Sequence, residues 1–343
     1  MSLTISLLGF IFGLAILLIL HELGHFLAAR SLKVQVDEFG IGFPPRAARL
    51  FKLGGTEFTL NWLPFGGFVR PKGENDPAVE GGLAAASPWV RLGVLFAGPG
   101  MNILIGIILA VLLFYTLGDP ITNIVRIDGI APGSPAEVAG LLPGDIIQTV
   151  NEAPVDSIDN LHAIVQNNLG VPTTLVIARG KQILTITLTP RQNPPENEGA
   201  IGILLGNPTH PIAFTTAISR GVSASVDYGR NVLALPIRMI RGQTSPEEGR
   251  GFVGYKGMFD IYQRLRNPLF FFMAVSFSLG ILNLLPIPAL DGGRIFLTLP
   301  EILFKRRIPP RYENMIHLIG FAVLIVLIIY INVQDFINPV KIP

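Results

Sequence analysis

His21, Glu22 and His25 stand in the order H-E-x-x-H inside the stretch LLILHELGHFLAAR, residues 17–30. On a helix the two histidines are four positions apart and share a face, so both imidazoles can reach one metal ion. Glu22 follows His21 directly and can meet a water on that metal as general base. A five-letter motif also arises by chance, so its setting decides. This one interrupts an apolar run. Ionisable groups inside a membrane span are costly and mark functional sites. Three of them facing lipid are untenable, so they must face protein or a wet cavity. The rival reading here is a proton relay, or polar groups that satisfy one another.

A catalytic zinc usually takes three protein ligands and keeps one position open. No third histidine or acid follows in the first apolar run. Much later, the stretch NLLPIPALDGG holds Asp291, the only acid at comparable depth near the end of another apolar run. Pro286 and Pro288 interrupt the helix there, and Gly292 and Gly293 allow close approach. The alternative for Asp291 is a helix terminus among lipid headgroups.

The elements that must position these groups are apolar. The chain has 343 residues, is 50% hydrophobic and only 15% charged, and its mean hydropathy is +0.52. Soluble domains carry about a quarter charged residues, so an integral membrane protein with some water-soluble mass is expected. A net charge of +2 makes no case for nucleic acid, and the chain has no cysteine, which excludes disulfides and thiolate ligands. The N-terminus lacks a basic region, and its apolar run is too long for a signal peptide, so it reads as a retained span. Four segments suit a bilayer: 3–29, 90–117, 269–290 and 315–333.

Lys and Arg gather in the 30–88 connection and in the short 291–314 connection, which places both in the cytoplasm and both termini outside. Lys256, Arg264 and Arg266 on the outer side run against that pattern. In this arrangement spans one and three both run inward. From His21 to Arg30 a helix rises ~13 Å, so His21, His25 and Asp291 meet at similar depth. The agreement was built into neither assignment.

Residues 122–190 alternate short apolar strands with turns and two helical pieces, with GLLPGDII between them. This pattern resembles a bacterial PDZ domain, a module that binds extended peptides at a sheet edge. The alternative is a small β domain without a ligand. Residues 211–242 have helical spacing that Pro236 should break or kink, as an interfacial or a linker helix. Residues 54–72, GGTEFTLNWLPFGGFVRPK, suit a β-hairpin at the membrane edge, or a surface hairpin that only packs.

Together, HELGH in the first span, FAGPGMN in the second, NLLPIPALDGG in the third and the PDZ-like stretch between resemble the site-2 protease family, in its bacterial regulator-of-sigma-E branch. The resemblance covers nearly the whole chain. It implies a polytopic α-helical membrane protein with four transmembrane helices, an inserted β-rich PDZ domain and a membrane-associated β-hairpin. The divisions would be 1–117 (spans one and two with the 54–72 hairpin), 118–190 (PDZ domain), 191–267 (linker with an amphipathic helix) and 268–343 (spans three and four).

The resemblance further implies that His21, His25 and Asp291 bind Zn2+ and that Glu22 activates water. Asn283 would bind substrate backbone, Asn102 is a further substrate-binding candidate, and the hairpin would pair with an unwound substrate strand. The implied activity is regulated intramembrane proteolysis of single-pass proteins, such as anti-sigma factors or remnant signal peptides. Those substrates would be already shortened by another protease, with peptide C-termini at the PDZ domain and lipid around the spans. The implied location is the inner (plasma) membrane, with both termini and the PDZ domain outside the cytoplasm. One departure stands out: relatives carry Ser-Gly-Pro where this chain reads RGFVG, with Phe252 at the proline position, which puts gating by residues 249–257 in doubt. The rivals are a PDZ-bearing scaffold that cuts nothing, and a metal or proton transporter, for which an inverted repeat is missing.

Overall fold

The computed structural model describes residues 3–195, 198–243, 253–265 and 267–339. They fall into two compact units, one from residues up to Leu112 and from Gly221 onward, the other from Leu113–Arg220.

The first unit opens with helix α1 (Leu3–Ser31), apolar on nearly every face, as suits a helix surrounded by lipid or protein. Arg30 in its last turn complements the helix dipole. Two long strands follow, β1 (Val36–Leu53) and β2 (Thr56–Pro71). Both bend back, so Gly40 faces Thr59 on one side and Phe68 on the other, while Thr59 also faces Arg49. The result is a four-segment ribbon whose outer edge is residues 67–71. Glu38 is buried in it, held by Arg46 at 2.9 Å, Arg70 at 3.0 Å and the Thr59 hydroxyl at 2.8 Å. The expected hairpin at 54–72 is therefore only the second half of a longer one that begins at Val36. Pro44 and Pro45 and repeated register shifts break the period of β1, which hides it from a reading by alternation. Helix α2 (Pro88–Leu117) starts on a proline, where the missing N–H is harmless, and carries Pro99 inside.

The second unit is built on β3 (Asp119–Pro120), β4 (Val125–Ile130), α3 (Pro135–Val138), β5 (Ile146–Val150), β6 (Ala153–Pro154), α4 (Ile158–Gln166), β7 (Thr173–Arg179), β8 (Gln182–Leu188), β9 (Ile203–Gly206) and β10 (Thr209–His210). The main sheet has the order β8-β7-β5-β4-β9, with β6 on β5. Inward residues at every second position, such as Leu175 and Ile177 of β7, join Ile127, Ile147 and Leu161 in one core. Ser134 and Ser157 cap α3 and α4. β9 pairs with β4, so the sheet continues past the expected boundary at residue 190.

Helix α5 (Phe214–Ile240) runs on through Pro236, where a break or a kink was expected. From Gly221 it belongs to the first unit, where a side chain at Gly221 would meet Val111. The sequence reading missed α6 (Tyr255–Arg264), whose Tyr262 packs with Phe10 and Phe271. Helix α7 (Pro268–Leu284) has 17 residues and stops six residues before the expected end of the third span. A turn through the prolines follows, and the 291–314 connection is mostly helix α8 (Asp291–Phe304). Helix α9 (Pro310–Ile337) closes the chain. Among the described residues three helices, α1, α2 and α9, are long and apolar enough to cross a membrane, and α7 is a shorter apolar helix. The 249–257 segment singled out in the sequence lies outside the described residues from 249 to 252, Phe252 included.

Candidate metal centre

Close backbone approach makes the centre. Gly24 sits one residue before His25, and a side chain there would strike the carbonyl of Ala97 and the Met101 side chain. A Cβ on Gly98 would fall onto the His25 imidazole. So HELGH and FAGPGMN are two faces of one contact between α1 and α2. On the far side of α2, Gly280 of α7 packs against Pro99 and Ile103, and the Ser276 hydroxyl donates to the Asn102 carbonyl at 2.7 Å. The turn after α7 brings in the start of α8, where Gly292 and Gly293 lie against the carbonyls of Leu285 and Ile287.

Asp291 meets the histidines there. Its Oδ2 lies 3.2 Å from His21 Nε2 and 3.4 Å from His25 Nε2. The two Nε2 atoms are 3.2 Å apart, with the rings edge to face at 82°. All three side chains are largely shielded, at 10%, 12% and 18% exposure.

The donor set fits a metal. His25 Nδ1 lies 2.8 Å from the Val94 carbonyl, which accepts only a proton, so Nδ1 carries it and Nε2 presents a lone pair. That lone pair points at a second imidazole nitrogen and a carboxylate oxygen. With the proton of His21 likewise on Nδ1, which faces the Asn102 amide at 3.2 Å, three electron donors converge there and call for a cation. Two imidazoles and one carboxylate suit zinc, with a position left for water.

Glu22 stands beside this centre. Its Oε2 accepts the backbone N–H of Val69 on the outer edge of β2 at 3.0 Å, and Gly67 lies against its side chain. Among the described residues its carboxylate is thus held by the ribbon, not by another side chain.

The two asparagines separate. Asn283, in the last turn of α7, is half-buried, and its amide has no hydrogen bond among the described residues. Asn102 has no exposure at all and lies 3.2 Å from His21 Nδ1. Asn102 thus lies behind a proposed ligand and presents no exposed surface in this structure. Its Oδ1 is buried without a partner among the described residues, with the amide nitrogen on the ring. Turning the amide over would give His21 Nδ1–H its acceptor, the outer hydrogen bond that metal-ligating histidines need. Of the remaining histidines, His162 and His210 are exposed in the second unit. His317 of α9 accepts the Ala289 N–H at 3.2 Å. The contributions of Val69, Val94 and Ala289 come from the main chain, which no side-chain motif announces.

The model of peptidase family M50 matches residues 9–327. Relatives that carry zinc metalloprotease names include one from Clostridium perfringens, 30% identical over 94% of this chain and 96% of its own length. Another from Campylobacter jejuni is 31% identical over 97% and 93%, and one from Helicobacter pylori is 35% identical over 91% and 93%. The chain belongs to peptidase family M50, the site-2 protease family. By that membership it is a membrane-embedded zinc metallopeptidase.

Proposed function

We propose that this peptidase cuts peptide bonds within transmembrane segments of single-pass proteins, with His21, His25 and Asp291 as zinc ligands and Glu22 as general base. One observation carries the reading. His21, Glu22 and His25 sit in helix α1, among the most apolar residues of the chain, and Asp291 at the start of α8 meets them there, where a soluble substrate has no reason to go. Zinc bound there supplies Lewis acidity, which acidifies water and polarises a peptide carbonyl.

Glu22 takes the proton from the attacking water and delivers it to the leaving amine. The Val69 N–H keeps its carboxylate aimed during both transfers. His25 is fixed by the Val94 carbonyl and His21 by Asn102, so neither ring has to reorient. A substrate helix must unwind before its carbonyl is accessible. The open edge at residues 67–71 offers main-chain groups to the unwound strand, and pairing there offsets the cost of unwinding. Asn283, with a free amide, holds substrate backbone nearby.

In this proposal α7 completes four spans, its 17 residues covering about 25 Å and the proline turn making up the depth. The sheet of the second unit acts as a PDZ domain outside the cytoplasm that receives peptide C-termini and admits substrates already shortened by another protease. The protein sits in the inner (plasma) membrane with both termini outside, and anti-sigma factors or remnant signal peptides are its substrate class. The reading is tested with full-length protein in detergent and a model transmembrane peptide. Wild type should cut inside the apolar stretch, as located by mass spectrometry, and Glu22→Gln should keep its zinc and cut nothing. Equal cutting by both would sink the assignment, and cuts confined to flanking loops would sink the intramembrane reading.

A further inference from the structure

The third donor is delivered by a turn that is not stable by itself. Between α7 and α8, residues 285–290 make short backbone bonds, from Ile287 N–H to the Leu285 carbonyl at 2.6 Å and from Leu290 N–H to the Ile287 carbonyl at 3.2 Å. Ala289 stands at φ +76°, a left-handed conformation that a residue with a Cβ rarely adopts. Such strain persists only where the surroundings over-determine it. Asp291 follows two residues later, on a helix start whose N-cap Leu290 supplies no side-chain cap.

Two residues of α9, one turn apart, make those surroundings. The Ala289 N–H, freed by the turn, donates to His317 Nδ1 at 3.2 Å. At Gly320 the backbone of α9 lies directly on Pro288, so closely that a side chain at 320 would overlap it. Neither residue touches the zinc ligands. Because Nδ1 accepts, the ring proton is on Nε2, which is buried without a partner among the described residues. The ring therefore has no other hydrogen bond to explain its place.

We infer that His317 is a positioning residue for the metal centre: by accepting the Ala289 N–H, with Gly320 bearing on Pro288, it locks the 285–290 turn and sets Asp291 at coordinating distance from His21 and His25. The inference deepens the proposed function and rests on its ligand set. It makes α9 a support of the metal centre rather than a plain anchor. Removing the acceptor would leave a strained turn with an unpaired, half-buried donor, which relaxes by moving the residues that carry Asp291.

The test uses full-length wild type, His21→Ala, His317→Ala and His317→Asn in one detergent, stripped of metal. Zinc affinity is read by competition with a chromophoric chelator, beside the unfolding temperature of the metal-free protein. Wild-type binding that His21→Ala abolishes establishes the centre. If His21→Ala binds normally, the ligand assignment falls and takes this inference with it. With the centre established, His317→Ala should weaken zinc binding about tenfold or more, and His317→Asn, whose oxygen accepts the same N–H, should return to within about threefold of wild type. The metal-free unfolding temperatures should stay together. Unchanged affinity in His317→Ala overturns the inference. So does His317→Asn as weak as His317→Ala, which would make ring volume and not the acceptor decisive. If His317→Ala does not fold, Gly320→Ala, which pushes on Pro288 from the same helix, must show the loss, and normal affinity there overturns the inference.

Discussion

The Val69 backbone N–H donates to Glu22 Oε2 at 3.0 Å, so the edge of a β-ribbon holds the carboxylate proposed to move the proton. The bond joins residues 47 apart in the chain. It couples the groove where a substrate strand would pair to the group that would act on it. A hydrogen bond to a charged acceptor is worth about 1.5–3 kcal/mol. Val69→Pro removes the donor and should lower kcat about ten- to a hundredfold, while zinc content stays at wild-type level. Val69→Ala, which keeps the N–H and loses only the side chain, controls for general damage to the strand. Equal losses in the two variants would assign the effect to the strand and not to the bond.

The Gly98–His25 contact makes a sharper steric prediction. Gly98→Ala puts a methyl group where the imidazole lies, and the ring must leave its position toward Asp291. Zinc affinity should fall by more than about tenfold. Gly100→Ala is the matched control, because a Cβ there meets only the Phe96 ring at 3.7 Å and should bind zinc normally. Zinc titrations of both variants decide it.

Asn102 predicts a defect in the metal and not in substrate binding. Asn102→Leu removes the acceptor that His21 Nδ1–H needs, and outer-shell losses of this kind cost about ten- to a hundredfold in metal affinity. At saturating zinc KM should be unchanged. A raised KM with normal zinc affinity would support the substrate-contacting role.

In the second unit Asp145 is buried in the sheet and paired with Arg179 at 2.8 Å. Burial alone would raise its pKa, but the Arg179 guanidinium and the Leu142 N–H more than offset this and hold the carboxyl below its ordinary value. The folded pKa is thus lower than the unfolded one. The stabilisation is complete above the unfolded value of about 3.9 and is lost as pH falls through the folded one. The protection factor of the Leu142 amide in the full-length protein, its exchange rate referred to the unprotected rate at the same pH, should fall on acidification below about pH 4, and Asp145→Asn should be poorly protected already at neutral pH. Equal protection of the two proteins at neutral pH would contradict the pairing.

Much of the centre was legible in the sequence, for reasons that can be named. His21, Glu22 and His25 are local, and helical spacing alone puts the histidines on one face. Asp291 could be reached because span direction sets depth, and few acids lie in apolar surroundings. The contact of Asn102 with His21 left no pattern, because the two are 81 residues apart and an asparagine gives the same letter whether it faces a substrate or a ring. The first strand of the ribbon was missed because Pro44, Pro45 and the register shifts erase its alternation. Helix α8 was not read within the 291–314 connection, because Gly292, Gly293 and Pro300 lower its helix propensity; the two glycines allow the close approach expected of them. Val69 and Val94 act through main-chain atoms, and His317 through the shape of a turn, so none of them leaves a pattern to read.

The central claim is that His21, His25 and Asp291 hold the zinc while Glu22 moves the proton. The most direct measurement is the zinc content, by elemental mass spectrometry, of full-length wild type and four variants, Glu22→Gln, His21→Ala, His25→Ala and Asp291→Ala, purified alike. The account predicts about one zinc per chain in wild type and Glu22→Gln and almost none in the other three, as a three-ligand catalytic site requires. A full equivalent of zinc in His21→Ala, His25→Ala or Asp291→Ala, or its loss from Glu22→Gln in an otherwise folded protein, would contradict it.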